Sequence, residues 1–181
     1  MNPIQILKAA IDKKIPTLWN KKLILSRNEM LVQTGSTDNW IYYVENGAFR
    51  ICVESENEIH TTRFAYRGSL VTVLDSFFRD IPTIYSIEAI RKSEVIRIHA
   101  TDFKNFVLSN TEYTNLWRIL LEELVLQQLE REVDLLHNSP AERYKRVYER
   151  SPQLFQEIPH KYIAAYLRMT PETFSRLHSA K

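Results

Sequence analysis

Near Thr101 the hydropathy pattern of the chain changes from strand-like to helical, and that change restricts the fold more than any other feature. From Lys22 to Ile98 the sequence is a series of short runs: LILS, MLVQ, WIYYVE, AFRICVE, IHTTRFAY, SLVTVL, YSIEAI and EVIRI. They are rich in β-branched and aromatic residues and are separated by polar turns, which predicts strands. After Thr101 apolar residues recur at helical spacing and the strand pattern does not return. Strands grouped first and helices grouped second predict an α+β chain. Eight short strands fit an antiparallel barrel, a jelly roll or a sandwich. Gly35, Gly47 and Gly68 all fall between runs, where a positive φ is expected. Asn46-Gly47, between IYYVE and AFRICVE, predicts a tight hairpin.

Helices are expected elsewhere. Pro3 to Lys14 carries Ile4, Leu7 and Ile11 at spacings of three and four, an amphipathic pattern. Thr101-Asp102 is a candidate cap for a short helix holding Phe103, Phe106 and Val107. Thr111 to His137 contains neither Gly nor Pro, and at the helical rise it spans roughly 40 Å. Ile119, Leu126, Leu129, Val133 and Leu136 lie on one seam of that helix, interrupted by Glu122, and Leu121, Leu124, Val125 and Leu135 form a second stripe. A helix apolar on two sides has two surfaces to cover, one on its own β-rich domain and one on a second copy. The alternative is one wide core-facing stripe in a monomer. Ser139-Pro140 predicts a new helix, with Ser as cap and Pro at its first position. Ser151-Pro152 ends it.

Composition narrows the class. The chain has 181 residues, 44% hydrophobic and 25% charged, an ordinary soluble make-up. No apolar run approaches the ~20 residues of a membrane helix. MNPIQILKAAIDKK has no signal-peptide layout, so the expected location is the cytoplasm. Cys52 is the single cysteine, which excludes an internal disulfide and a cysteine-held zinc or iron–sulfur site. His60, His99, His137, His160 and His178 show no ligand spacing, so no metal and no cofactor is expected. No nucleophile–base set, phosphate-cradling Gly loop or paired carboxylate motif stands out, so no catalytic residue is assigned and an enzyme is not expected. Charge is uneven. Ser139 to Lys181 holds eight basic residues and four acidic ones. That surplus fits either a polyanion partner or a solvated basic face.

The last stretch, IPHKYIAAYLRMTPETFSRLHSAK, reads as two short helices joined at Arg168-Met169. The first covers about His160 to Leu167. Thr170 caps the second and Pro171 opens it. One face of the second helix carries Phe174, Leu177 and His178; the other carries Glu172, Ser175, Arg176 and Ser179. A recognition helix needs that division, because its back must pack while Arg and Glu address base edges. Many small terminal helices share it.

Ile163, Ala164, Leu167, Thr170, Glu172, Thr173, Ser175 and Arg176 match the helix-turn-helix pattern of the Crp/Fnr transcription regulators, and the chain resembles that family along essentially its whole length. The resemblance implies an antiparallel β-roll of the double-stranded jelly-roll type, a long dimerisation helix and a small helical helix-turn-helix domain. Its parts are a cyclic-nucleotide-binding-like sensor (residues 1–110), the dimerisation helix (111–138, through Ile119, Leu126, Leu129, Val133 and Leu136) and a DNA-binding domain without a wing (139–181). It implies a homodimer on double-stranded DNA, with no membrane partner. Base-reading positions fall at Pro171, Glu172 and Arg176, phosphate positions at Thr170 and Thr173, with Ser175 on the same face and Lys161 as a further phosphate contact. Two departures stand out. Arg168 replaces the turn glycine, so the turn must be reshaped or strained. Pro171 has no hydrogen bond to offer a base. With five residues after Arg176, the recognition helix is expected to fray at its end.

In nucleotide-binding members of that family a Gly-Glu pair grips the ribose and an Arg pairs with the cyclic phosphate. The segment from Gly68 aligns without gaps and puts Thr72-Val73 and Thr83 at those positions. Neither ligand-holding charge is present, and nothing in the position of nearby Arg79 argues that it compensates. Cyclic AMP is therefore not the expected effector. Any effector is an unknown small molecule, and the aromatic residues Trp40, Tyr42, Tyr43, Tyr66 and Tyr85 suit either the lining of its pocket or a core. Cys52 is expected to be a small buried hydrophobe. The alternative function is a ligand-binding or protein-interaction module with a degenerate helix-turn-helix and no specific DNA binding.

Overall fold

Strands form where the sequence alternates: β1 (Leu23–Leu25), β2 (Met30–Val32), β3 (Trp40–Asn46), β4 (Ala48–Ser55), β5 (Glu58–Tyr66), β6 (Leu70–Val71), β7 (Tyr85–Ala89) and β8 (Ser93–His99). The computed structural model describes residues 2–56 and 58–180. The strands pair antiparallel in a nested series, β1 with β8, β2 with β7, β3 with β6 and β4 with β5. Further β3–β8 and β4–β7 ladders complete two four-stranded sheets, ordered β1-β8-β3-β6 and β2-β7-β4-β5. Of the three architectures the pattern allowed, this is the jelly roll.

The helices are α1 (Pro3–Lys14), α2 (Leu74–Arg79), α3 (Ala100–Leu108), α4 (Thr111–Leu136), α5 (Pro140–Arg150), α6 (Pro152–Glu157), α7 (His160–Tyr166) and α8 (Pro171–Ser179), with the expected caps present at Ser139 and Thr170. Neighbouring residues of β3 point to opposite sides of their sheet. Tyr42 and Val44 face the interior of the roll with Phe49, Ile51, Ile87 and Val95. Ile41 faces outward into a second cluster, with Leu7 and Ile11 of α1, Ile98, and Phe103, Phe106 and Val107 of α3. Cys52 is buried, its sulfur 3.9 Å from the Thr61 hydroxyl.

Four local expectations need correction. First, Asn46-Gly47 makes no hairpin, because β3 and β4 lie in different sheets. It is the corner where the chain changes sheet. Gly47 has φ +93, and a Cβ there would lie 2.5 Å from Ser93 Cα. Close approach to β8 therefore demands glycine as much as the backbone angle does. The true hairpin joins β4 to β5, where Glu56 takes φ 53. Second, SLVTVL is strand only at Leu70–Val71, and α2 begins at Leu74. Third, α3 starts before Thr101-Asp102. Its cap is His99, whose Nδ1 accepts from the Thr101 N–H at 3.4 Å, so β8 runs directly into the helix. Fourth, Pro152 ends α5 but also opens α6, since proline suits a first helical position.

The chain forms two compact units, Met1–Glu122 and Glu123–Lys181, and α4 runs from one into the other. In the first, Tyr113, Leu116, Trp117 and Leu120 of α4 pack into the outer cluster of the roll. That face is not the expected second stripe, of which Val125 is exposed. In the second, the Asp134 carboxylate of α4 is fully buried and is held by Arg146 Nε at 2.8 Å and Arg150 Nη2 at 2.6 Å, both from α5. Burial alone would raise the Asp134 pKa, but the hydrogen bonds from Arg150 and Arg146 hold the carboxyl below its ordinary range.

Candidate nucleic-acid interface and effector cassette

The helix-turn-helix is built on an aromatic core. Phe174 of α8 is 1% exposed. Its ring lies 5.6 Å from Tyr144, 6.0 Å from Phe155 and 5.1 Å from His160. The Tyr144 hydroxyl and His178 Nδ1 are hydrogen-bonded at 2.9 Å. His160 and His178 meet with ring centroids 4.4 Å apart. Burial, and then the charge of His178, push the His160 ring below its ordinary value.

That packing fixes which face of α8 meets solvent. Pro171, Glu172, Ser175, Arg176 and Ser179 are exposed, while Thr173, Leu177 and His178 are half-buried. Thr170 caps the helix, its hydroxyl oxygen accepting from the Thr173 N–H at 3.2 Å. The Thr170 hydroxyl donates to the Thr173 hydroxyl at 3.3 Å. Hydrogen bonding to its own backbone N–H, and then to Thr170, holds the Glu172 carboxyl below its ordinary range. A carboxylate in the first turn also suits the positive end of the helix. Lys161 is exposed at the start of α7, its ammonium 4.7 Å from the centre of the Tyr162 ring. The expected turn strain is real. Arg168 takes the left-handed conformation, φ 51, that a glycine would adopt freely. A group the sequence reading did not single out stabilises it: Arg143 donates to the Leu167 and Arg168 carbonyls at 2.7 and 3.0 Å.

The seam of α4 divides along its length. Ile119 is half-buried, whereas Leu126, Leu129, Val133 and Leu136 are 61%, 54%, 43% and 75% exposed. These four share one helical face, so an apolar stripe of about three turns faces solvent on a single chain.

In the roll, Thr72, Val73 and Thr83 are all buried, and Gly68 turns the chain at φ +87. The Thr72 hydroxyl donates to the Trp40 carbonyl at 2.8 Å. Thr83, the position aligned with the phosphate-holding Arg, donates its hydroxyl to Asp75 Oδ1 at 2.8 Å and Oδ2 at 3.0 Å. The Ile84 N–H adds a bond to Asp75 Oδ2 at 3.1 Å and the Ser76 N–H one to Oδ1 at 2.8 Å. Asp75 escaped the sequence reading, although a carboxylate one residue into α2 beside the cassette was a visible signal. Arg79 is exposed. Tyr42 belongs to the roll interior, with Trp40 and Tyr85 packed against it. Nearby, the buried Asp38 accepts the Tyr42 hydroxyl at 2.8 Å, and burial pushes its carboxyl up. Among the described residues no group of three or more His, Cys, Asp or Glu is placed to hold a metal ion.

The geometry has close parallels. Residues 22–110 match the cyclic nucleotide-binding domain family. Among solved structures, FixK2 from Bradyrhizobium japonicum superposes with a TM-score of 0.72 at 18% identity, over 88% of this chain and 83% of that one. A CooA variant from Carboxydothermus hydrogenoformans gives 0.75 at 15% identity, over 99% and 84%. The catabolite activator protein of Thermus thermophilus gives 0.59 at 18% identity, over 99% and 86%. No curated protein sequence matches the chain. Residues 22–110 are thus similar to cyclic nucleotide-binding domains, and the chain as a whole has the fold of these solved structures. No helix among the described residues is long and apolar enough to cross a membrane.

Proposed function

We propose that this chain is a dimeric, sequence-specific DNA-binding transcription regulator of the Crp/Fnr type. The observation that carries the reading is the exposed face of α8, where Glu172, Ser175 and Arg176 stand on a helix anchored from behind by Phe174. Arg176 reads guanine and Glu172 accepts from cytosine, while Thr170, Thr173 and Lys161 meet phosphates. Residues 1–110 serve as sensor, 111–138 as dimerisation helix and 139–181 as DNA-binding domain. Dimerisation covers the stripe at Leu126, Leu129, Val133 and Leu136. Fold neighbours support regulation over catalysis: CooA is described as a CO-dependent transcription factor, and another neighbour as a catabolite activator protein.

The sensor does not hold a cyclic nucleotide. A cyclic phosphate needs a charge-assisted partner in the cassette. Here Thr83 has no charge, and its hydroxyl is engaged by the Asp75 carboxylate, which repels an anion. The test of the whole reading is a mobility-shift measurement against fragments of the source genome. Retention of a discrete fragment set over competitor DNA is expected. Uniform weak binding, or none, favours an interaction module with a degenerate helix-turn-helix.

A further inference from the structure

Arg143 is 8% exposed, yet among the described residues none of its hydrogen bonds goes to a carboxylate. It belongs to the first turns of α5, and its guanidinium gathers four backbone carbonyls from two places in the unit. On one side Nε donates to the Leu167 carbonyl at 2.7 Å and Nη2 to the Arg168 carbonyl at 3.0 Å. On the other, Nη1 donates to the His137 carbonyl at 2.6 Å and the Asn138 carbonyl at 3.0 Å. Both pairs lie just past a helix end, since α4 stops at Leu136 and α7 at Tyr166. Carbonyls at helix C-termini lack partners within their own helix and carry the negative end of the macrodipole. A buried cation between two such ends is stabilised without a counter-ion.

The position of this cation is fixed. Asp134, three residues before His137, ties α4 to α5 through Arg146 and Arg150. Arg143 therefore extends a rigid α4–α5 corner, and the part it presents to that corner is the helix-turn-helix turn. Two residues after Arg168, Thr170 caps α8. The next residue of α5, Tyr144, stacks edge-on against Phe174 of α8 at 5.6 Å. Two neighbouring side chains thus hold the recognition helix, one by its leading turn and one by its buried face.

We infer that Arg143 is a positioning residue: it fixes where α8 begins relative to the end of α4, so that the C-terminal segment of α4 and the recognition helix move as one body. This deepens the DNA-binding reading and rests on it for its consequence, though not for its structural content. Lysine cannot replace arginine here. Its three donors leave a single point, whereas the contacts need a planar fork that reaches in two directions.

The experiment compares wild type, Arg143→Lys and Arg143→Ala as full chains, by amide hydrogen exchange and by DNA binding. The informative amides are Leu167, Arg168 and Met169 in the turn and His137 at the end of α4, each of which donates to a backbone carbonyl. In Arg143→Lys these exchange at least about tenfold faster together, while Ser151 and Ile158 keep their protection. Preference for the selected DNA site over random DNA falls at least about tenfold, with the salt dependence of non-specific binding unchanged. In Arg143→Ala, methylguanidinium at millimolar concentration restores protection at the turn and at His137 together. Unchanged protection and preference in Arg143→Lys overturn the inference, as does uniform loss of protection across the unit without rescue in Arg143→Ala. If wild type shows no site preference while the exchange effects appear, the DNA reading fails and the clamp stands.

Discussion

Arg176 and Lys161 carry opposite expectations, because one is assigned to a base and the other to the backbone. Replacing Arg176 by Ala is expected to cost about 1–3 kcal/mol and to relax preference at one base pair per half-site. Replacing Lys161 by Ala is expected to weaken all sequences alike and to lower the salt slope by about one contact. Binding isotherms across salt concentrations, on matched and single-mismatch sites, separate the two. Equal loss on every sequence for Arg176→Ala contradicts its assignment. A third residue titrates. His160 is held below its ordinary value of 6.5 by burial and by His178, so the unfolded chain takes up that proton at a higher pH than the folded one. Stability from this site is complete above about pH 6.5 and is lost as the pH falls through the depressed value. Calorimetric melts at pH 7.5 and 5.5 are expected to show a drop that His160→Gln reduces. A pH-independent wild-type melting temperature over that range contradicts this. Carboxylates held low, such as Asp134 and Glu172, contribute in a more acidic window.

Among the elements, α4 makes the sharpest statement. Leu129→Glu places a charge in the middle of the exposed stripe, where a dimer would bury it unpaired. Sedimentation at micromolar concentration is expected to show a dimer for wild type and a monomer for the variant, with the melting of the β-roll unchanged. A monomeric wild type contradicts the proposed dimer. Two helices, α5 and α8, were legible because their caps are local: Ser139 and Thr170 each cap through a side-chain oxygen. What was not legible depends on partners distant in sequence. Asn46-Gly47 looks like a hairpin to any local rule, and only the approach of Ser93 makes it a sheet corner. The packing face of α4 eluded the reading because Trp117 is recruited by Phe77 and Phe103, outside its own helix. At the candidate site, the exposed set on α8 follows from a simple wheel. Arg143 does not, since its role lies in backbone carbonyls that no spacing announces, and Asp75 shows only as a carboxylate beside the cassette, its partner Thr83 being eight residues on.

At the scale of the molecule, the proposed regulator is expected to have a sensor that excludes cyclic nucleotides. Calorimetric titration with cyclic AMP is expected to show no binding at micromolar ligand, and affinity in that range would mean that Asp75 and Thr83 do not exclude the phosphate. In the proposed dimer, two copies of α8 read a two-fold symmetric site. A dimer of such helices enters successive major grooves, with half-sites about 34 Å apart, one helical turn of DNA. Pro171 offers no hydrogen bond, so each half-site is read through few side chains. Hydroxyl-radical footprinting on a site selected from random DNA tests this most directly. Two protected half-sites, related by a dyad and separated by about 10 base pairs, are the result expected. A single asymmetric footprint, or no selected site at all, would contradict it.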